Sequence, residues 1–250
     1  MENKEKMAVL GELKDSQEMF VYLSPCTKMP FVYCDPETFD DEVLLFRTEE
    51  LAKNTAKEFL EKKIPLQLAK LDNKQFLIFY SSLYAMGVNE LSLDMGGEKP
   101  AKVALNELVR RPDASQLPEG KIRVENPELM LTSLYFMQEL RRSPKPQVTP
   151  ELKEMEEEML AHFRKGTYIM AIQDKNMVPF LKLKNGDAYQ PIFTDIGEFQ
   201  KFNREKKFHT AVVPYDKLAL IVKDPAKGIC INPNGVNIIL PTAQLQIKEA

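Results

Sequence analysis

The chain writes one pattern twice. "LLFRTEELAKNTAKEF" at 44–59 and "PIFTDIGEFQKFNREKKF" at 191–208 each read as a strand ending in Phe, a Thr helix cap, an acidic first turn and a Lys-rich amphipathic helix. Those helices are expected to end near Phe59 and Phe208. Ahead of them stand "MPFVY" at 29–33 and "VPFLK" at 178–182. Behind them, "IPLQLAKLDNKQFLIFYSSLYAMGVNELSLD" faces "HTAVVPYDKLALIVKDPAKGICINPNGVNIIL", with Val88-Asn89 set opposite Ile231-Asn232. Few residues are identical, but the order of elements is the same. Repetition of this length implies two units of one design, at 19–110 and 167–247. A 250-residue chain is long enough for one large domain or two small ones, and the repeat selects the second.

Within the second unit, "TYIMAI" at 167–172, "VPFLKLK" at 178–184, "AYQPIF" and "TAVVP" alternate like strands. "NGD" at 185–187 is a turn. Thr194 is expected to cap a helix running to about Lys207, and "YDKLALIVKD" to form a short helix capped near Tyr215-Asp216, although its apolar run also reads as extended. "KGICINP" and "VNIILP" close the unit as a hairpin. Asn232, Pro233, Asn234 and Gly235 make its structural turn, with the positive φ angles at Asn234-Gly235.

Between the units, "RRPDASQLPEGK" (110–121) reads as loop. "NPELMLTSLYFMQELRR" (126–142) carries Leu129, Leu131, Leu134, Phe136, Met137 and Leu140 in an apolar stripe and reads as helix. The three prolines of "SPKPQVTP" break that helix in an exposed hinge. Thr149-Pro150 start another, with Met155, Met159, Leu160 and Phe163 on its buried face. Residues 111–166 are thus a helical, proline-interrupted connector.

Composition narrows the function. The chain is 44% hydrophobic and 28% charged, ordinary for a globular protein with real cores. A net charge of −3 argues against nucleic acid, which needs a concentrated Lys/Arg field. Cys26, Cys34 and Cys230 are odd in number and none sits in CxxC, so reduced thiols in the cytoplasm are expected. Residues 1–18 are charged and lack the apolar run of a signal peptide, no apolar stretch has membrane-spanning length, and "QIKEA" is no lipidation box.

Candidate chemistry is sparse. Cys230 with His209 as base would make a nucleophile. Alternatively Cys230 is a small hydrophobe in mid-strand between Ile229 and Ile231, and the hairpin accounts for its neighbours. His162 and His209 stand in no metal-ligand spacing, nor do Cys26 and Cys34. "DPETFDDE" at 35–42 offers oxygens for calcium but lacks the Gly and alternation of an EF-hand, so it reads as a solvated acidic loop. Neither GxxxxGK[ST] nor GxGxxG occurs. "NREKKFH" at 203–209 reads as the polar face of a helix rather than an RNA contact.

Three motifs of the second unit bring a family forward: Val178-Pro179-Phe180, Ile192-Phe193-Thr194-Asp195, and Gly228 through Pro233. In this order they resemble the SseB N-terminal domain family, named for the enhanced serine sensitivity protein of enteric bacteria. The first unit departs from the pattern, since "FRTEE" replaces "FTD" and "MGVNELSLD" lacks the Asn-Pro step. The resemblance implies an α/β (α+β) fold of two tandem SseB-like mixed-sheet units with packed helices. It brings no catalytic residue. The expectation is therefore a non-enzymatic interaction or adaptor protein of the bacterial cytoplasm, with a protein partner and no nucleic acid, membrane, cofactor or metal. The alternative is an enzyme or small-molecule-binding protein whose site is built from scattered Asp, Asn, Thr and Tyr residues. A deep pocket with shifted carboxylates would favour the alternative, and an apolar patch or open sheet edge the adaptor.

Overall fold

The computed structural model describes residues 3–97, 99–111, 117–118, 122–173 and 177–245. The chain divides into two compact units, Met1–Gln116 with Leu134–Val148, and Leu117–Ser133 with Thr149–Ala250. Each is built on one mixed sheet with helices packed against it, an α+β architecture.

The first unit opens with α1 (Asn3–Asp15), whose Val9 and Leu13 are fully buried. The strands β1 (Glu18–Ser24), β2 (Met29–Pro30), β3 (Val32–Cys34) and β4 (Asp41–Phe46) follow. Next come α2 (Glu49–Glu61), β5 (Gln67–Asp72), α3 (Asn73–Ala85), β6 (Glu90–Asp94), β7 (Ala101–Ala104) and α4 (Leu105–Leu108). The sheet runs β5, β1, β4, β6, β7; only β4 and β6 are parallel. Thr48 caps α2 by accepting from the Leu51 N–H, and Glu49 and Glu50 fill its first turn, as the sequence motif requires. Asp72 and Gln75 form a capping box that starts α3. Phe46, Tyr22, Phe31 and Phe59 meet in the core, with Tyr22 and Phe46 rings 4.8 Å apart.

The helices α5 (Pro127–Arg141) and α6 (Pro150–Phe163) come next. The connector does not stand apart. The first half of α5 is counted with the second unit and its second half with the first, while α6 belongs wholly to the second. The physical reason is burial: Leu129, Met130, Leu134, Phe136 and Met137 on α5, and Leu152, Met159 and Phe163 on α6, are core residues. Thr149 caps α6 with Pro150 in its first turn. Residues 143–150 are exposed throughout. Most of 110–121 lies outside the described residues.

The second unit continues with β8 (Thr167–Ile172), β9 (Leu181–Lys182), β10 (Ala188–Phe193), α7 (Ile196–Phe202) and β11 (His209–Pro214). It closes with α8 (Tyr215–Ile221), β12 (Ala226–Ile231), β13 (Ile238–Pro241) and α9 (Thr242–Leu245). Its sheet runs β11, β8, β10, β12, β13, again with one parallel pair, β10 and β12. These five-strand paths therefore have the same order and directions, and the first sheet adds β2 beside β1 with no counterpart in the second. Phe46 and Phe193 hold the same place, each ending the central strand opposite Phe20 or Ile169.

Several local readings change. The cap of α7 is Asp195, which accepts from the Glu198 N–H; Thr194 is drawn elsewhere. The helix ends at Phe202, so 203–208 is a loop and not a helical face. Of "VPFLKLK" only Leu181–Lys182 pairs as strand. The register places Leu93 opposite Leu45 and Ile231 opposite Ile192. The counterpart of Asn232 is thus Asp94, not Asn89. Finally, the loop joining β12 and β13 spans six residues, with positive φ at Asn232 (47°) and Asn237 (51°) instead of Asn234-Gly235.

Candidate functional site

The densest charge in the first unit gathers around Lys102. Glu42 on β4 and Glu90 on β6 are direct partners across the parallel pair, and Lys102 on β7 is opposite Ser92. Because side chains alternate along a strand, all three project from the same face of the sheet. Lys102 Nζ lies 3.3 Å from Glu42 Oε2 and 3.6 Å from Glu90 Oε2, and also contacts Asp35 Oδ2. The Glu42 side chain is 3% exposed, against 16% for Asp35 and Glu90 and 30% for Lys102.

Asp35 also accepts from the Glu37 and Thr38 N–H groups at 2.6 and 3.2 Å. The Lys102 hydrogen bond and these two N–H groups lower its carboxyl to about 2. Burial raises Glu42, with Lys102 opposing, and burial with the Asp40 charge raises Glu90. Burial alone would lower Lys102, but the Asp35 hydrogen bond and the Glu42 charge outweigh it and raise the ammonium. A lysine held cationic is the opposite of what a nucleophile or base requires.

The acidic stretch is therefore not the solvated loop its sequence suggests. Asp40 accepts from Asn89 Nδ2 at 2.8 Å and Asp41 from the Tyr135 hydroxyl at 2.5 Å, while Asp35 and Glu42 face Lys102. Asp40 and Asp41 thus have donors of their own, and Asp35 and Glu42 share the Lys102 ammonium with Glu90. Among the described residues no three His, Cys, Asp or Glu side chains could together hold a metal ion.

In the second unit the structure brings together Thr194, Asp195 and Asn232 from separate motifs. Asn232, fully buried, accepts from the Thr194 N–H at 3.0 Å and donates Nδ2–H to Thr194 Oγ1 at 2.8 Å. Thr194 Oγ1 donates to Asp195 Oδ2 at 2.8 Å, and Asp195 caps α7. From the other side Asn126 Nδ2 reaches the Thr167 and Thr194 carbonyls, each at 2.8 Å. Gly235 lies so close to buried Glu198 that a Cβ there would collide with Oε2. Asn234 donates to the Lys201 carbonyl at 2.9 Å. Together these bonds tie the β12–β13 loop to the end of β10 and to α7. Donors meet acceptors, which suits a lock between elements, and Thr194, whose hydroxyl faces the Asp195 carboxylate, is fully buried, out of reach of a substrate.

Of the other candidates, Cys230 is 3% exposed in β12 and its Sγ lies 3.1 Å from Asn237 Oδ1. His209 is exposed on β11, three strands across the sheet, about 14 Å at ordinary strand spacing. The two do not form a pair. His162 borders a cleft of about 340 Å³ with Glu125, Asn126, Glu128, Leu129, Lys165 and Gly166. A second, open cleft of about 600 Å³ in the first unit runs from Ala8 on α1 to Glu18, with Arg47. Neither cleft includes Asp35, Glu42, Glu90 or Lys102.

Thiol labelling checks this placement. Cys34 is exposed, but burial of its sulfur and the charges of Asp41, Asp35, Asp40 and Glu42 raise its thiol, leaving less thiolate at neutral pH. Cys230 is expected to resist maleimide in the folded protein while Cys34 reacts, faster as pH rises. Rapid native labelling of Cys230 would contradict the buried, structural assignment.

No family model matches this chain, and no curated protein matches it. Among solved structures it is similar to Tic22 from Plasmodium falciparum, at 12% identity over 94% of this chain and 93% of that one, with a TM-score of 0.25. It is also similar to Anabaena Tic22 (protein transport), at 11% identity over 90% and 89%, with a TM-score of 0.22. Likeness at these scores adds nothing to the chemistry of either unit.

Proposed function

We propose that the protein is a non-enzymatic interaction protein, an adaptor of the bacterial cytoplasm in keeping with the SseB resemblance. The observation that carries this is a repeated apolar exposure. Ile78 and Leu220 are each the sixth residue of equivalent helices, α3 and α8, and are 75% and 70% exposed. Two positions earlier, Phe76 and Leu218 anchor the same helices inward at 3% and 0%. Leu77 widens the patch on α3 at 68%. Single exposed aliphatic residues are ordinary, but the same outward position kept apolar in both units is what an interaction surface needs. Free Cys26, Cys34 and Cys230 support a reducing compartment. Among the described residues no helix is long and apolar enough to cross a membrane.

Affinity capture from bacterial lysate tests this. The wild-type chain is expected to retain one or more proteins, and Ile78→Glu with Leu220→Glu to lose them while keeping an unchanged circular dichroism spectrum. Wild-type beads that hold no protein beyond empty beads, or hold a turned-over small molecule instead, would count against the adaptor.

A further inference from the structure

We propose that β11 is a docking edge for an extended, acidic peptide segment of a partner protein, a proposal that rests on the interaction reading above. β5 and β11 are the equivalent outer strands of the two sheets. Phe20, opposite Phe46, pairs with Lys70 on β5; Ile169, opposite Phe193, pairs with Val212 on β11. Lys70 and Val212 therefore occupy one position. On β5 that position carries an ammonium 3.0 Å from Glu18 and 4.0 Å from Asp72. A charge in mid-edge is a common way in which sheets deter the pairing of a further strand. On β11 the same position is an aliphatic side chain, 43% exposed.

Among the described residues nothing else blunts β11. Its register with β8 is continuous from His209 to Pro214, without a bulge, and its only proline is its last residue. Its outer side has no strand partner among the described residues. Main-chain pairing there would supply affinity, and Thr210 and Val212 would contact alternate side chains of the guest.

Charge selects the guest. The loop entering β11 holds exposed Arg204, Glu205, Lys206 and Lys207. Lys207 pairs with Glu205, and among the described residues Arg204 and Lys206 have no ion-pair partner. An antiparallel guest strand, the more stable pairing, sets its C-terminal end beside these cations. The fitting segment thus alternates apolar and polar residues and then ends in Asp or Glu. A second copy of the chain fits less well. Antiparallel β11 pairing would bring Asp216 to that corner, and Asp216 is already paired with Lys217.

The test uses the full chain and a synthetic probe, an acetylated peptide alternating Thr and Val and ending in Asp-Glu-Glu, with a control ending in Lys-Lys-Lys. Fluorescence anisotropy is expected to show the acidic probe binding at least about tenfold tighter than the basic one, with the advantage lost as salt rises. Val212→Lys, which copies the first unit, is expected to weaken binding by about tenfold or more while the melting temperature holds. Arg204→Glu with Lys206→Glu is expected to abolish the preference for the acidic probe. The proposal is overturned if both probes bind alike, if Val212→Lys leaves affinity unchanged, or if Val212→Lys only converts a dimer to a monomer. Lysate partners that depend on Ile78 and Leu220, captured alongside a failed probe, would remove the edge proposal and leave the adaptor standing.

Discussion

Lys102→Met is expected to destabilise the first unit by about 3 kcal/mol at pH 7, the low end for removing one partner of a buried ion pair, since the ammonium keeps some solvent contact. The change leaves Asp35, Glu42 and Glu90 clustered with no cation among them. Glu42 and Glu90 are direct strand partners, and the Oε2 atom of each is buried without a hydrogen bond among the described residues. Two like charges set opposite each other oppose pairing, and Lys102 is what offsets them. Urea unfolding at pH 7 measures the loss; a variant within about 0.5 kcal/mol of wild type would mean the cluster is solvated like a surface network.

The pH dependence identifies the cause. The carboxyls of Glu42 and Glu90 are raised above their ordinary 4.5 in the fold, so the folded state prefers them protonated. Their contribution is fully present below 4.5 and is lost as pH climbs through the folded values. Without Lys102 those values rise further. The deficit of Lys102→Met should therefore be widest near neutrality and narrow toward pH 4. Asp35 runs the other way: lowered to about 2, it contributes above its ordinary 3.8 and loses that as pH falls toward 2. A residual deficit from the lost Asp35 pairing should remain at pH 4. A deficit independent of pH would point to lost packing of the lysine stem instead of charge.

How much of this was legible in the sequence depends on range. Strand-ending Phe46 and Phe193, the Thr48 cap and the Thr149-Pro150 start are local signals, and the structure shows them where the sequence placed them. The Lys102 cluster was illegible because it joins residues 67 positions apart through sheet register, and an acidic run alone reads as solvated. The sequence points to Thr194 as the cap, and the structure to Asp195, for a related reason. Thr and Asp both cap well, so "TD" leaves the choice open locally. Asn232, 38 positions away, engages Thr194 and leaves the cap to Asp195. The Asn234-Gly235 pair suggested a two-residue turn, but closing the loop over Glu198 needs six residues and puts the left-handed backbone at Asn232 and Asn237. The open edge of β11 was hidden too, since Val212 looks unremarkable until the register sets it beside Lys70.

Asn232→Ala is expected to destabilise the second unit by about 3 kcal/mol, and its companions should divide that cost. A fully buried side chain that bonds both the Thr194 N–H and hydroxyl is lost, leaving a buried donor unmet at about 1–3 kcal/mol. A backbone at φ 47° that Asn tolerates becomes strained for Ala by about 1 kcal/mol more. Asn232→Gly removes only the first of these, so it should fall between Ala and wild type. Asn232→Asp keeps the shape and an acceptor for the Thr194 N–H. It also loses the Nδ2–H donor and sets a second carboxylate against Thr194 Oγ1, whose single hydrogen already goes to Asp195. It should be the least stable of the three at pH 7 and recover in acid as the new carboxyl takes a proton, because a carboxylate buried beside another ionises only at a raised pH. Thermal melts of the three variants at pH 7 and pH 4 read this directly. If Gly melts with wild type and Asp shows no gain in acid, the bonds from Asn232 are not what fastens the loop to β10.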